Sequence, residues 1–171
     1  MRRILIVGCS GSGKTTLAIA IAKRLAIPCI ELDALHWGPG WSPRPSFAAD
    51  VESHTRAPSW VTDGNYATVR ELLWSRADTV IWLDLPRLVV EWQVVCRSLV
   101  RWVEREEMWN GCVEPSPLGW GDPEHPVRWA WEKHAEYREC YQARFADPAW
   151  EHLSRIRLRS RERVRQFLDG Q

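Results

Sequence analysis

The chain has 171 residues and a formal net charge of +1. This length predicts a single domain spanning residues 1–171. A net charge so close to zero provides no overall field that would attract nucleic acid or a membrane surface, so neither is expected as a partner.

The five cysteines are odd in number and include no Cys-x-x-Cys pair. Neither a disulfide scaffold nor a zinc site is therefore expected, and the reducing cytoplasm is the predicted location. The apolar run after Arg3 ends at Gly8, too early for a signal peptide. No apolar run approaches the roughly 18 residues that a membrane span requires.

The N-terminal residues predict a strand followed by a phosphate-binding loop. Ile4 to Val7 form a continuous apolar run, typical of a strand buried on both faces of a parallel sheet. The next residues, here called the phosphate loop, fit the pattern Gly-x-x-x-x-Gly-Lys-Thr. They are Gly8, Cys9, Ser10, Gly11, Ser12, Gly13, Lys14, Thr15 and Thr16. The dinucleotide-binding pattern Gly-x-Gly-x-x-Gly is excluded, because position 16 is threonine.

The phosphate loop predicts ATP and Mg²⁺ as cofactors. Its glycines allow successive backbone N–H groups to surround phosphate oxygens, and the next helix directs the positive end of its dipole there. Lys14 is expected to reach the outer phosphates, and the Thr15 hydroxyl to ligate Mg²⁺. The structural alternative is a glycine-rich turn that binds nothing.

Hydrophobic periodicity predicts alternating helices and strands along the rest of the chain. Up to residue 83, the predicted helices are 15–26, 46–57 and 66–74, the predicted strands are 29–32, 60–62 and 79–83, and residues 36–45 form a loop. Beyond it we predict a helix over 86–108, a loop or lid over 111–126, a helix over 127–145, a strand over 152–158 and a helix over 161–168. The seam of the 86–108 helix is expected to face the core and consists of Leu88, Trp92, Val95, Leu99 and Trp102. Such alternation requires a parallel sheet that is covered on both faces.

Two acidic residues follow predicted strands. Because parallel sheets bind ligands at the carboxyl ends of their strands, we expect Asp33, Asp63 and the phosphate loop to meet. Asp63 is the candidate to hold Mg²⁺ with Thr15, and Asp33 is the candidate to orient or deprotonate an acceptor hydroxyl. The structural alternative for Asp63 is a turn with Gly64. For an Asp that follows a strand, the alternative is to cap the next helix. Asp84 is interpreted as a structural residue at a helix entry.

Three arginines lie four residues apart on the predicted long helix: Arg97, Arg101 and Arg105. Like charges at this spacing repel one another, so an anionic partner is expected. We interpret the stripe as a clamp on the transferring phosphates, carried by a lid helix that excludes water on closure. The alternative is a solvated face neutralised by Glu104 and its neighbours.

Several features resemble those of the adenylate kinase-like P-loop kinases: the phosphate loop, Asp63-Gly64 at the end of the third strand, the arginine-bearing lid helix and the terminal strand and helix. Four motifs are more narrowly similar to the bacterial group of adenylate kinase-related, or DNA topology modulation, proteins. They are ELDALHW at 31–37, DGNY at 63–66, LDLP at 83–86 and REEMWNG at 105–111. The resemblance covers nearly the whole chain.

The resemblance implies an α/β, three-layer P-loop NTPase fold. Its five-stranded parallel sheet would have the order 2-3-1-4-5, with helices on both faces and a helical lid. It also implies a substrate-binding segment over 34–60, a lid over 105–125, and an adenine site near Arg159 and Ser160.

The acceptor side departs from that family. Nucleoside monophosphate kinases carry Gly-Phe-Pro-Arg where this chain has Gly64, Asn65, Tyr66 and Ala67, so the arginine that holds the monophosphate is absent. Candidates to replace it are Arg44 and Arg70. We expect Gly64, Asn65 and Tyr66 to bind the acceptor. Trp37, Trp41 and Tyr66 are expected to wall its pocket, with loop packing as the alternative role for these aromatic residues.

The leading hypothesis is therefore an ATP- and Mg²⁺-dependent phosphotransferase that acts on a small-molecule acceptor. A nucleoside monophosphate kinase is the second hypothesis. The third is a nucleotide-binding regulatory or nucleic-acid-associated protein with little turnover. The expected oligomeric state is a monomer or a homodimer, and the identity of the acceptor stays open.

Overall fold

The computed structural model describes residues 1–105, 107–113, 115–116, 119, 121–122 and 125–170. Within these ranges the strands are β1 (Arg3–Gly8), β2 (Cys29–Ile30), β3 (Trp37–Gly38), β4 (Ser42–Pro43), β5 (Trp60–Asp63), β6 (Thr79–Leu83) and β7 (Ser154–Leu158). The α-helices are α1 (Lys14–Leu25), α2 (Leu32–His36), α3 (Phe47–His54), α4 (Ala67–Arg76), α5 (Arg87–Glu104), α6 (Pro126–Ala146) and α7 (Arg161–Asp169). Short 3₁₀ turns occupy Pro39–Trp41, Trp109–Gly111 and Pro148–Trp150.

Five strands form one parallel sheet in the order β2-β5-β1-β6-β7. Numbered among themselves along the chain, these five strands have the order 2-3-1-4-5, so the predicted topology is confirmed. β1 lies at the centre, where Ile4 pairs with Val61 of β5 on one side and with Thr79 of β6 on the other. The apolar run of β1 is buried, as its sequence predicts for a central parallel strand.

The two faces of the sheet carry separate hydrophobic layers. Ile4 and Ile6 pack with Leu17 and Ile21 of α1 and with residues of α7. Leu5 and Val7 face the opposite layer, which is formed by residues of α3, α4 and α6. Side chains alternate along a strand, so β1 contributes to both layers and the predicted three-layer arrangement is confirmed. In the described part of the chain, no helix is both long enough and apolar enough to span a membrane.

The second strand is shorter than predicted. It pairs with β5 at only two positions, as an edge strand, and ends at Ile30 instead of Leu32. Leu32 starts α2 and is buried in the core. Asp33 therefore lies in the first turn of a short helix and not at the end of a strand.

Residues 36–45, predicted as a loop, contain a small antiparallel hairpin. Strand β3 pairs with β4, and the 3₁₀ turn between them includes Gly40 and Trp41 with φ of 63° and 60°. Glycine accommodates such a φ without strain, which lets the chain reverse within a few residues. This hairpin belongs to the predicted substrate-binding segment, 34–60.

The long helix differs from its prediction in length and in orientation. It ends at Glu104 and not at Met108, because Arg105 adopts a left-handed conformation with φ of 50°. The apolar seam expected to face the core is largely exposed: Leu88 is 75% and Trp92 is 65% exposed. The inner face carries Val90, Val94 and Ser98 instead. This face packs against the phosphate loop, where only small or short side chains fit.

The predicted lid, 105–125, is described in part. Glu107 and Val113 form an antiparallel bridge around the 3₁₀ turn Trp109–Gly111. Glu106, Glu114, Pro117, Leu118, Trp120, Pro123 and Glu124, which fall within this lid, lie outside the described residues. The remaining predicted helices and strands agree with the structure to within a few residues at each end.

Candidate active site

A cleft of about 1510 Å³ opens at the carboxyl end of the sheet, between the phosphate loop, α2, α5 and α6. The predicted site residues that line it are Ser10, Gly11, Gly13, Lys14, Thr15, Thr16, Asp33, Trp37, Trp41, Asp63, Gly64, Asn65, Tyr66, Arg97 and Arg101. The cleft does not include Gly8, Cys9, Ser12, Arg44 or Arg105 in its lining. Arg159 and Ser160 line a neighbouring pocket.

Gly8 and Gly11 of the phosphate loop each combine a positive φ with a close neighbour that leaves no room for a Cβ. Gly8 has φ of 148°, and a Cβ there would lie 2.7 Å from the carbonyl oxygen of Leu83. Gly11 has φ of 78°, and a Cβ there would lie only 2.0 Å from Cγ2 of Val94 on α5. The loop is therefore held tightly between β6 and α5. Helix α1 starts at Lys14 without a capping side chain, which leaves its first N–H groups to phosphate oxygens.

Cys9, within the loop, faces the protein interior. Its Sγ lies 3.6 Å from the carbonyl oxygen of Ala130, and burial raises the pKa of the Cys9 thiol to about 11. Because a thiol of high pKa is a weak nucleophile at neutral pH, the geometry assigns Cys9 to packing and the backbone of the loop to binding.

Lys14 places a cation at the floor of the cleft. Its Nζ donates a hydrogen bond to the carbonyl oxygen of Cys9 at 3.0 Å. Burial lowers the pKa of Lys14, while the carboxylates of Asp63 and Asp33 oppose that effect. Both acids thus lie within electrostatic range of the ammonium group. A compact cation at this place suits the outer phosphates of a nucleotide.

Thr15 and Asp63 form a second polar group next to Lys14. The Thr15 hydroxyl donates to Oδ2 of Asp63 at 2.5 Å, and Asp63 is only 8% exposed. Burial raises the pKa of Asp63, although Lys14 and the Thr15 hydroxyl oppose the shift. A hydroxyl and a carboxylate are oxygen ligands of the kind that Mg²⁺ prefers, so the pair fits this ion. Among the described residues, no cluster of three or more His, Cys, Asp or Glu side chains could hold a metal by itself.

Asp33 also lines the cleft, and Tyr66 holds its carboxylate. The Tyr66 hydroxyl donates to Oδ1 of Asp33 at 2.5 Å. Burial raises the pKa of Tyr66, and the neighbouring charge of Asp33 raises it further. Tyr66 therefore stays protonated and acts as a hydrogen-bond donor. Since one oxygen of Asp33 accepts this bond, the other is left to receive a hydrogen bond from a ligand.

Aromatic rings build the wall beside Asp33. The ring of His36 lies 4.4 Å from that of Tyr66 and 4.7 Å from that of Phe47, measured between centroids. Trp37 and Trp41 meet edge to face at 5.4 Å. Packed in this way, the rings form a rigid apolar surface beside a carboxylate.

Asn65 connects the phosphate loop to α6. Its Nδ2 donates to the carbonyl oxygen of Gly8 at 2.7 Å, and its Oδ1 accepts from the Tyr141 hydroxyl at 2.6 Å. Both polar ends of Asn65 are thus used within the protein, although the residue lines the cleft. A Cβ on Gly64 would lie 3.1 Å from Cδ1 of Leu5, a tight contact that a side chain at this position could make only if Leu5 shifted.

The structure separates the three arginines of the predicted clamp. Arg97 and Arg101 reach the cleft from the inner face of α5, and Arg97 contributes to the lowered pKa of Lys14. Arg105 is exposed at the end of the helix and does not line the cleft. Arg44 is also outside the lining, since it pairs with Asp50 at 3.0 Å.

A second pocket, of about 520 Å³, adjoins the phosphate side of the cleft and shares Trp92 and Arg161 with it. Arg159 and Ser160 line this pocket, as do the apolar side chains of Leu85, Pro86, Leu88 and Val89. The Ser160 hydroxyl caps α7 by accepting from the Arg163 N–H at 3.2 Å. The arrangement is an open, mainly apolar pocket with polar groups at its edge.

Asp84 has a structural role below this pocket. It is buried, and its carboxylate binds Arg157 through two hydrogen bonds of 3.0 and 2.7 Å. Arg138 and Arg159 lie 3.2 and 3.7 Å from the same carboxylate.

The described lid residues are docked on the β3–β4 hairpin. Nδ2 of Asn110 donates to the Trp37 carbonyl oxygen at 2.5 Å, and Nε1 of Trp41 donates to the Val113 carbonyl oxygen at 3.3 Å. Trp109 of the same segment lines the cleft. The lid segment and the hairpin therefore close one side of the cleft together.

Sequence reasoning did not assign several lining residues to the site: His36, Trp92, Met108, Trp109 and Tyr137. The motif REEMWNG includes two of them, but a motif alone does not show which surface a lid contacts. Arg70, which the sequence offers as a replacement for the absent arginine, does line the cleft.

Comparison with known proteins supports the same architecture. Residues 4–84 match the family described as ATPase family associated with various cellular activities (AAA). This segment runs from β1 to the residue after β6, and it includes the phosphate loop and Asp63. No curated protein matches the chain.

Solved structures of low sequence identity share the fold over nearly the whole chain. Shikimate kinase from Acinetobacter baumannii in complex with shikimate has a TM-score of 0.59 and 16% identity, over 99% of this chain and 90% of its own. This chain has the P-loop NTPase fold. Gluconokinase from Sinorhizobium meliloti 1021 has a TM-score of 0.56 and 21% identity, over 99% of this chain and 90% of its own. A sugar kinase from Janibacter sp. HTCC2649 has a TM-score of 0.53 and 19% identity, over 99% of this chain and 91% of its own.

Proposed function

We propose that this P-loop protein is an ATP- and Mg²⁺-dependent kinase that transfers the γ-phosphoryl group to a hydroxyl of a small-molecule acceptor. The observation that carries the proposal is the composition of one cleft. It contains Lys14 and the Thr15–Asp63 pair together with the Asp33–Tyr66 pair. The neighbours in fold named gluconokinase, sugar kinase and shikimate kinase support it.

The donor side binds the nucleotide. The N–H groups of the phosphate loop and of the start of α1 surround the phosphates, and Lys14 balances the charge of the outer two. Thr15 and Asp63 would hold Mg²⁺, which, when bound, neutralises charge on the β- and γ-phosphates. The pocket beside Arg159 and Ser160 receives the base.

The acceptor side supplies a base. Asp33, oriented by Tyr66, accepts the hydrogen bond of the acceptor hydroxyl and takes its proton as the new bond forms. The hydroxyl oxygen bonds to the γ-phosphorus, the bond from that phosphorus to the β–γ bridging oxygen breaks, and ADP leaves. Arg97 and Arg101 stabilise the charge that develops on the transferred group.

The docked lid favours transfer over hydrolysis. Trp41, Trp109 and the hairpin close the acceptor side, which excludes water from the γ-phosphate.

The protein's five cysteines are all free, which supports the proposal that it works in the reducing cytoplasm.

A nucleoside monophosphate is the second candidate acceptor. Arg70 supplies a further cation to the cleft, as a monophosphate would require. The Asp33–Tyr66 pair favours the hydroxyl acceptor, however, because a phosphate acceptor is already ionised and needs no base.

The test is a coupled ADP-release assay with sugars, sugar acids, shikimate-like alcohols and nucleoside monophosphates as acceptors. We expect turnover with a hydroxyl compound, lost in Lys14→Ala and retained in Lys23→Ala, an exposed lysine on α1. Turnover with AMP alone would support the second candidate. ATP binding without any acceptor-stimulated turnover would support a regulatory role. Unchanged ATP affinity and turnover in Lys14→Ala would contradict the whole proposal.

A further inference from the structure

We infer that the acceptor carries an anionic group, a carboxylate or a phosphate, that Arg70 binds while the reacting hydroxyl faces Asp33. This inference rests on the proposed function and specifies the substrate class of the same cleft. It is carried by the surroundings of Arg70 and by the position of this residue relative to Tyr66.

Arg70 lines the cleft without a partner in the described protein. Its Nε is buried and has no hydrogen bond, and no ion pair of Arg70 is found among the described residues. Arg87 and Arg144 also have a buried nitrogen without a hydrogen bond, but another nitrogen of each guanidinium has a partner. Arg87 donates to the Trp131 carbonyl oxygen at 2.6 Å, and Arg144 pairs with Glu71. Arg70 is half-buried, and its buried Nε without a hydrogen bond favours a ligand that pairs with the guanidinium.

Acids of α3, α4 and α6 are engaged with other cations. Glu71, the next residue in α4, binds Arg144, and Glu52 of α3 lies 3.6 Å from Arg76. Two further acids are paired in the same way: Asp50 with Arg44 at 3.0 Å, and Glu136, which lines the cleft, with Lys133 at 2.6 Å. None of these four carboxylates neutralises Arg70, which leaves its charge to a molecule inside the cleft.

The environment of Arg70 includes a second potential donor. Burial raises the pKa of Tyr137, and the positive charge of Arg70 opposes this shift, so the two groups lie within electrostatic range of each other. Tyr137 also lines the cleft, and its ring stacks on that of Tyr141 with an interplanar angle of 9°. A protonated phenol beside a guanidinium makes a suitable site for carboxylate or phosphate oxygens.

Asp33, Tyr66 and Arg70 line the same cleft. Tyr66 is the extended residue before α4, and Arg70 is the fourth residue of that helix. The Tyr66 hydroxyl contacts Asp33, so a hydroxyl at Asp33 and an anion at Arg70 belong to one binding site. This describes a hydroxy acid or a small phosphorylated alcohol, with the aromatic wall covering the carbons between its two polar ends.

The test compares pairs of acceptors that differ in one negative charge: gluconate with gluconamide, shikimate with its methyl ester, and glycerol phosphate with glycerol. The wild type is expected to prefer the anionic member by about 10- to 100-fold in kcat/KM. Arg70→Met should remove this preference by raising the KM of the acid, with the KM of ATP unchanged. Arg70→Lys should keep part of it, and Arg24→Met, which changes an exposed arginine, should match the wild type. Arg70→Met is expected to fold normally, since Arg70 makes no bond in the described protein.

Equal kcat/KM for the neutral and the anionic acceptor of a pair would overturn the inference. So would a preference for the anionic acceptor that survives in Arg70→Met. If no pair is turned over, calorimetry decides. The complex with Mg²⁺ and a non-hydrolysable ATP analogue, which fills the γ-phosphate position, is titrated with gluconate, shikimate and inorganic phosphate. Binding to the wild type but not to Arg70→Met supports the inference, and any other result overturns it. Turnover with neutral acceptors alone would leave the proposed kinase intact, whereas absence of ATP binding would reject the kinase itself.

Discussion

Asp33, which accepts a hydrogen bond from Tyr66, can either take the proton of the acceptor hydroxyl or only orient that hydroxyl. If Asp33 accepts the proton, Asp33→Asn should lower kcat by about 10²- to 10⁴-fold, the usual contribution of a general base. Tyr66→Phe removes only the bond that orients the carboxylate, so a loss of about tenfold in kcat is expected. Tyr66→Phe should not change the KM of ATP, because the hydroxyl that it removes contacts Asp33.

Steady-state kinetics of the two variants, with ATP and acceptor varied in turn, check this prediction. A kcat within twofold of the wild type in Asp33→Asn would show that proton abstraction by Asp33 is not part of the reaction. A rise in the KM of ATP in Tyr66→Phe would place Tyr66 on the donor side instead.

At the scale of single residues, the sequence is informative where a local motif dictates geometry. Thr15 follows Lys14 in the loop pattern and Asp63 ends a strand next to β1, so their meeting follows from topology. The contacts of Tyr66 with Asp33 and of Asn65 with Tyr141 depend on how separate elements pack, and single-sequence patterns carry no sign of them. Arg70 is visible as a residue, but its lack of a partner appears only in the fold.

At the scale of elements, the orientation of α5 is decided by the phosphate loop. Periodicity identifies two stripes on this helix but does not show which one faces inward. The larger apolar stripe contains Trp92 and Trp102, which are too bulky for the contact that Val94 makes with Gly11. The short hairpin and the early end of β2 also escape prediction, because two-residue strands have no periodic signal.

The close contact of α5 with the loop predicts unequal effects of two glycine substitutions. Both Gly11 and Gly13 have positive φ, at 78° and 91°, so alanine is strained at either position. A Cβ on Gly11 meets Val94, whereas a Cβ on Gly13 has no atom within 4 Å. Gly11→Ala should therefore lower the free energy of unfolding by about 1–3 kcal/mol more than Gly13→Ala does.

Urea unfolding of the two variants without nucleotide measures this difference. Val94→Ala introduced into Gly11→Ala should recover part of the loss by removing the clash. Equal destabilisation by the two glycine substitutions would mean that α5 does not press on the loop as the structure describes.

At the scale of the whole molecule, the sheet topology follows from general rules for alternating strands and helices. The stability of the sheet also depends on Asp78, which holds the start of β1. Its Oδ2 accepts from the N–H groups of Arg2 and Arg3, both at 2.9 Å, and its Oδ1 accepts from the Thr79 hydroxyl at 2.8 Å. Burial opposes ionisation of Asp78, but these hydrogen bonds outweigh it and lower its pKa.

This lowered pKa predicts a pH-dependent stability. A carboxylate whose pKa is lower in the folded state stabilises the fold above its ordinary value of 3.8, and the contribution is lost as the pH falls below that value. Asp78→Ala should cost about 1–2 kcal/mol of unfolding free energy at pH 7, allowing for partial exposure. The difference from the wild type should shrink below about pH 3.8.

Denaturant unfolding from pH 7 to pH 3 tests this prediction, with Asp169→Ala, an exposed acid at the end of α7, as the control. A difference that stays constant or grows towards pH 3 would contradict the role given to Asp78.

The most direct test of the proposed activity follows the phosphoryl group itself. The protein is incubated with ATP labelled with ¹⁸O at the γ-phosphate, Mg²⁺ and a small-molecule extract of bacterial cells, and the products are analysed by high-resolution mass spectrometry. The expected result is labelled phosphoryl on an organic product that also carries a carboxylate or a second phosphate, formed by the wild type and absent with Lys14→Ala. Label found only in inorganic phosphate, or retained entirely in ATP although the nucleotide binds, would contradict the account.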